Sequence, residues 1–305
     1  MREYLKEFFS EFQYPEEARE QLLSDYDKLT NSPKSRELFE QMIQGYEETG
    51  TLDKEETLQQ AVCAAKEAGV PDDTATFLIF CCLSRHLWEL YQQRGISRTV
   101  WHDSMYDLLV KAYECKKVKG YWGSFVSGWF AGWFQMIRFA LGRLQFEKGQ
   151  YAASCGPYSG HGITLSSTED TVINVHIPSG SRLPYEAVLD SYRQAYRWYR
   201  DHHRDGKLVF SCWSWLMYDK MPQIAVEGTN TSKFIMDYEI VKSFEDAQFE
   251  DCWRLFDVCY TGDPTLLPRN GGLRRRYAEF LEQGGKAGSG YGIAIFDGEK
   301  MLTHN

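Results

Sequence analysis

The hydrophobic pattern of this chain changes period once, near residue 135, and that change limits the possible folds more than any other feature. Before it, apolar residues recur at three- and four-residue steps, the spacing that lines one face of a helix. Pro15, Glu16 and Glu17 open one such stretch with acidic residues where the helix dipole favours them. Leu38, Phe39, Met42 and Ile43 carry the next, which begins at Ser35. Residues 53–68 form another, stopped by Gly69, and Asp72-Asp73-Thr74 precede a strongly apolar one that runs to about residue 91. Ser97 starts the last, through residue 115. Residues 1–135 are therefore predicted to form an all-helical N-terminal domain with no sheet in the first hundred residues. His86 and His102 lie within these helices and read as surface or internally satisfied residues.

After Gln135, alternation replaces the helical period. Strands are predicted over 137–146, 171–177, 208–215, 233–242 and 291–296, and helices over 184–203, 216–225, 250–258 and 273–283. Strands interleaved with helices imply an α/β domain with a mixed sheet over residues 136–305, and an α+β chain as a whole. The length of 305 residues suits two domains of about 100–200 residues each.

Charge narrows the function. Forty-three acidic residues against 34 basic ones give a net charge of −9. Nucleic-acid binding needs clustered cations, so it is not expected. The imbalance is −7 over residues 1–135 and −2 over the rest, so an anionic ligand meets less repulsion in the second half. Aromatic residues make up 15%, which favours large cores or aromatic-lined pockets. The eight cysteines form no CxxC pair and no Cys/His spacing, so free buried thiols in a reducing compartment are expected, with no metal site. Residues 1–7 are amphipathic and acidic, without the apolar run of a signal peptide. The apolar run 125–137 is shorter than the ~20 residues of a membrane span. A cytoplasmic protein without membrane association is expected.

The strongest local signal for chemistry is a strand, the turn Pro178-Ser179-Gly180-Ser181-Arg182 and a helix. Such a turn aims unpaired backbone N–H groups at one spot, where the helix dipole attracts phosphate. Ser179 and Ser181 add hydroxyls, Gly180 close backbone approach, and Arg182 a charge. The turn is neither GxxxxGK[ST] nor GxGxxG, and an ordinary strand-to-helix connection with Pro184 in the first turn is the alternative. His176 ends the strand before the turn, and Glu147 ends the one before that. Cys212 has no base beside it in sequence, so core packing is expected. Arg274-Arg275-Arg276 follow Gly271-Gly272 near a helix start, as phosphate ligands or as a solvated face.

Five segments, in this order, resemble a bacterial family of GNAT-like acyltransferases, in which a helical N-terminal acyltransferase domain precedes a GNAT-like C-terminal domain. They are RFALGRLQFE at 138–147, VHIPSG at 175–180, SCWSWL at 211–216, LLP at 266–268 before the arginine-rich helix, and GSGYG at 288–292. The resemblance implies a mixed sheet whose central strands splay apart. An acyl-CoA pantetheine would lie in the opening, with its pyrophosphate on residues 179–182. It also implies acetyl-CoA or another acyl-CoA as substrate, no metal, and an unidentified amine acceptor. Glu147 or His176 would serve as base, and Tyr218, just after the 208–215 strand, as the acid that protonates the leaving thiolate. Two positions depart from the pattern: the usual turn reads [RQ]-x-x-G-x-[GA], and Trp213 stands where relatives often have His. A non-catalytic ligand- or protein-binding member on the same scaffold is the competing reading.

Overall fold

Six helices fill the first of two units, Met1–Phe139, in the computed structural model, which describes residues 1–304. They are α1 (Arg2–Glu11), α2 (Glu16–Asn31), α3 (Pro33–Thr49), α4 (Lys54–Ala68), α5 (Asp72–Gln93) and α6 (Arg98–Lys119). Local chemistry sets their ends. The Asp53 carboxylate accepts the Glu56 N–H at 2.9 Å and the Ser97 hydroxyl accepts the Val100 N–H at 3.3 Å, caps worth about 1 kcal/mol each. α3 starts two residues before the expected Ser35, because Pro33 supplies a preset φ at the first helical position.

α5 is the core of this unit. Every residue from Thr74 to Ser84 is buried, because α1, α2, α3, α4 and α6 all pack against it. A helix enclosed on all sides must be apolar all round, which explains its unbroken hydrophobic run. Burial pushes the Cys82 thiol up to about 12, so it stays protonated and inert. The apolar run 125–137 folds inward as a 3₁₀ turn and the short helix α7 (Ala131–Phe134). Its Phe130 and Phe134 rings lie 5.4 and 5.0 Å from Phe80. Among the described residues no helix is long and apolar enough to cross a membrane.

The second unit begins at Ala140. Its strands are β1 (Arg138–Leu141), β2 (Leu144–Gln150), β3 (Tyr158–Gly160), β4 (Ile163–Leu165), β5 (Thr171–His176), β6 (Leu208–Ser214), β7 (Glu239–Glu245) and β8 (Gly288–Phe296). Six of them form one sheet in the order β1-β2-β5-β6-β8-β7, which puts β5 and β6 at its centre. β5 and β6 are parallel; the pairs β2–β5, β6–β8 and β7–β8 are antiparallel. The helices are α8 (Tyr185–Trp198), α9 (Met221–Ile224), α10 (Asn230–Met236), α11 (Cys252–Phe256) and α12 (Gly272–Glu282).

Four segments differ from the sequence expectation. The helix expected over 216–225 is a 3₁₀ turn, Trp215–Met217, and the four-residue α9. The strand expected over 137–146 is two strands, because Gly142 turns the chain at φ +74°. Residues 233–242 are not one strand but the end of α10 and the start of β7. The Thr229 hydroxyl caps α10 by accepting the Ser232 N–H, and Phe234 and Ile235 are buried on it. The β3–β4 hairpin was not expected, since three-residue strands are too short to show alternation.

On one face of the sheet, α8 lays Tyr192 against Phe210 and Phe146 at 4.9 and 6.3 Å. On the other, Val172, Val209, Ile293 and Ile295 pack with Tyr151 and the β3–β4 hairpin. Gly288, Gly290 and Gly292 alternate along β8 toward the residues 215–218, which cross the sheet there. A Cβ at 290 would lie 1.9 Å from the Met217 carbonyl oxygen, and one at 288 would lie 2.4 Å from the Tyr218 ring. The GSGYG run is therefore a packing requirement of this crossing. Gly290→Ala must displace that backbone and is expected to cost about 1–3 kcal/mol. A lower urea midpoint at unchanged m-value would show it, and a midpoint equal to wild type would refute the crossing.

Candidate functional site

β5 and β6 pair over two positions only, Ile173 with Phe210 and Asn174 with Ser211. Beyond these, β5 continues on β2, with Val175 opposite Phe146 and His176 opposite Gln145. β6 continues on β8, with Cys212, Trp213 and Ser214 opposite Gly292, Tyr291 and Gly290. The two central strands thus part at their C-terminal ends while each stays anchored on its outer side. The Ser211 hydroxyl donates to the Asn174 side-chain oxygen at 2.6 Å, a bridge between the strands at the last position they share.

Register decides which side chains meet at this opening. Glu147 lies opposite Asn174 and Gln145 opposite His176, so the four occupy one face. His176 Nε2 is 3.5 Å from Glu147 Oε2. The face continues across the seam through Ser211 and Trp213, with Tyr291 opposite Trp213. Glu147 and His176, 29 residues apart in sequence, are thus one acid–base pair beside the opening. Such a pair can accept a proton and share it. A Cβ at Gly149 would lie 2.3 Å from the Asn174 amide nitrogen, so a side chain there would have to displace the Asn174 side chain.

The turn from 178 to 182 follows β5 directly and leads into α8. Arg143, which sequence reasoning did not single out, holds it from behind. Its Nε donates to the Arg182 carbonyl at 2.9 Å, and its Nη2 donates to the Pro178 and Ser181 carbonyls at 2.7 and 3.1 Å. The Ser191 hydroxyl accepts the Arg143 and Leu144 N–H groups at 2.7 and 3.2 Å, which fixes the β1–β2 turn on α8. With its carbonyls engaged by Arg143, the turn has N–H groups at Gly180, Ser181 and Arg182 that donate to no other group among the described residues. Gly180 sits at φ +87°, so its first role is conformational: a side chain there strains the turn whatever it binds. The only sequence signal for Arg143 was its place in the GRLQFE run.

Tyr218 lies apart from Glu147 and His176, on the opposite face of the sheet. It follows the 3₁₀ turn Trp215–Met217, its ring rests on Gly288, and it is 3% exposed. Its hydroxyl makes no hydrogen bond among the described residues. Burial first, then the Asp219 and Glu245 carboxylates, raise its pKa above the ordinary phenol value, so it stays protonated through the neutral range. Cys212 is buried, with its thiol pushed up to about 12, and serves packing as expected. Arg274 pairs with Asp257 at 2.6 Å and Arg276 donates to the Gln223 carbonyl at 3.1 Å, so two of the three arginines of that run brace α12. No group of three or more His, Cys, Asp or Glu side chains that could hold a metal ion occurs among the described residues.

The comparisons with known proteins bear on the fold and the family. No curated protein matches the sequence. A mutant acyltransferase solved with octanoyl-CoA is similar in structure, with 16% identity, a TM-score of 0.67, and coverage of 95% of this chain and 87% of that one. An acyltransferase solved with decanoyl-CoA and teicoplanin has 18% identity and a TM-score of 0.60 over 79% of this chain and 76% of its own. At these identities the likeness is one of fold. The family models go further. Residues 3–136 match the N-acyltransferase N-terminal domain and residues 138–294 match the GNAT-like C-terminal domain. The chain therefore belongs to the family that joins an N-acyltransferase N-terminal domain to a GNAT-like C-terminal domain.

Proposed function

We propose that this protein is an acyl-CoA-dependent N-acyltransferase. The observation that carries the reading is the end of the β5–β6 ladder beside a turn whose carbonyls are held by Arg143 and whose N–H groups at residues 180–182 donate to no other group among the described residues. Parted strands have no ladder between their inner edges, so those edges can bond the two amides of a pantetheine arm inserted as a short extra strand. The turn, the positive end of α8 and the Arg143 charge behind it together favour a pyrophosphate. The similar structures contain octanoyl-CoA and decanoyl-CoA, which supports acyl-CoA as the donor. One of them also contains teicoplanin. The amine that this chain acylates is a separate question.

The two faces of the opening divide the chemistry. The amine attacks the thioester carbonyl, a C–N bond forms, and the C–S bond breaks. The amine's proton passes to the Glu147–His176 pair, and the thiolate takes a proton from Tyr218 on the opposite face. A base on the attacking side and an acid on the leaving side suit this order. Two variants test the assignment. The pyrophosphate site predicts that Gly180→Val weakens CoA binding in calorimetry while leaving the affinity for pantetheine, which lacks the pyrophosphate, unchanged. Equal loss for both ligands would mean that the strained turn, and no phosphate contact, was responsible. Unchanged CoA affinity would reject the site.

The acid role predicts a pH dependence. A phenol raised above its ordinary value of about 10 stays protonated until pH exceeds that value. Wild-type kcat should therefore hold through the neutral range and fall only above about pH 10. Tyr218→Phe should lower kcat by roughly 10²-fold and remove that basic limb, with CoA affinity unchanged. Full activity in this variant would assign thiolate protonation to solvent. CoA binding without turnover on any amine would favour a non-catalytic member of the family.

A further inference from the structure

Trp213 is 55% exposed although both its β6 neighbours on the opposite face, Cys212 and Ser214, are buried or half-buried. One ring face is covered, since Trp213 stacks on Phe244 at 5.2 Å and 14°, with Tyr291 at 5.7 Å. The rest borders an open cavity of about 450 Å³ at the end of the sheet where β8 begins. Phe249, Glu245, Asp246, Glu250 and Asp251 line it with Trp213, and no cationic side chain does. Three of the carboxylates already have partners. Asp246 accepts the N–H groups of Gln248, Phe249 and Glu250 at 3.0, 2.9 and 2.8 Å. Glu245 pairs with Lys286 and Asp251 with Arg254, both at 2.6 Å. The Glu250 carboxylate has no partner among the described residues. A half-exposed indole beside four carboxylates, two of them balanced by Lys286 and Arg254, attracts an ammonium group through the ring quadrupole and the remaining negative charge of Asp246 and Glu250.

We propose that this cavity seats the acceptor and that the acceptor is a polycationic amine, with one ammonium group held on Trp213 beside Glu250 while a second, neutral amine reaches the opening between β5 and β6. The proposal rests on the acyltransferase reading for the second amine's fate, but seating of the cation does not. Trp213 lies on the same face as Glu147 and His176, the side from which an amine would attack. As Trp213 occupies the strand position next to the opening, it sets which acceptors approach.

The test is calorimetry on the full chain with spermidine as the probe and N-acetylglucosamine as a neutral comparison, each with and without CoA. Saturable spermidine binding that weakens with added salt is expected. Trp213→Ala should weaken it about 2- to 5-fold, the range of a cation–π contact at an exposed ring. Trp213→Phe should retain most of the affinity, and Glu250→Gln should lose a few-fold along with part of the salt dependence. Far-UV circular dichroism and the urea midpoint should be the same in all three variants, which reports that they fold. No saturable spermidine binding, equal affinity in wild type and Trp213→Ala, or binding of N-acetylglucosamine in its place would overturn the proposal. Failure of the wild-type chain to bind CoA, with spermidine still bound on Trp213, would instead count against the acyltransferase reading alone.

Discussion

The parallel ladder between β5 and β6 stops after Asn174 and Ser211, and the arrangement of the second unit depends on that stop. A sheet gains from continuing its hydrogen bonds, so two central strands part only when each has another partner to follow. β5 follows β2 and β6 follows β8. The Asn174–Ser211 side-chain bond ties the strands at their last common position. Glu147 and His176 lie on one face of the sheet beside this stop, and Tyr218 lies on the other, against Gly288 of β8.

The supports around the opening show how a few residues keep it in place. Arg143 gathers three carbonyls of the 178–182 turn and ties it to the β1–β2 connection. Ser191 on α8 holds the β1–β2 turn that carries Arg143. On the far side, alternate glycines of β8 admit the 215–218 segment against the sheet, and that segment positions Tyr218. Side-chain absence at 288, 290 and 292 is thus as much a part of the site as the side chains themselves.

Much of this was legible in the sequence. The period change near residue 135 separated the helical region from the α/β region, because helix and strand patterns are local and repeat over many residues. Asp53, Ser97 and Gly69 marked helix ends for the same reason. The strand over 171–176, the turn after it and helix α8 were readable because a strand, a Gly-containing turn and an amphipathic helix each leave a contiguous signature. Short elements were not. The β3–β4 hairpin has three residues per strand, and α10 carries a Phe-Ile-Met run that reads equally as strand, until its Thr229 cap and the burial of Phe234 and Ile235 decide for helix.

The sequence by itself determined the two-part organisation and the order of strand, Gly-containing turn and helix that runs from residue 171 into α8. Only the tertiary structure decided which residues share the opening. Glu147 and His176 meet because the antiparallel register of β2 and β5 sets Glu147 beside Asn174, and a shift of one residue would turn the carboxylate to the other face. Arg143 reaches the turn across 35 or more residues, and Trp213 gains its cavity from a loop beyond residue 244. Register and long-range packing depend on all the strands at once, and no local stretch of sequence carries that information.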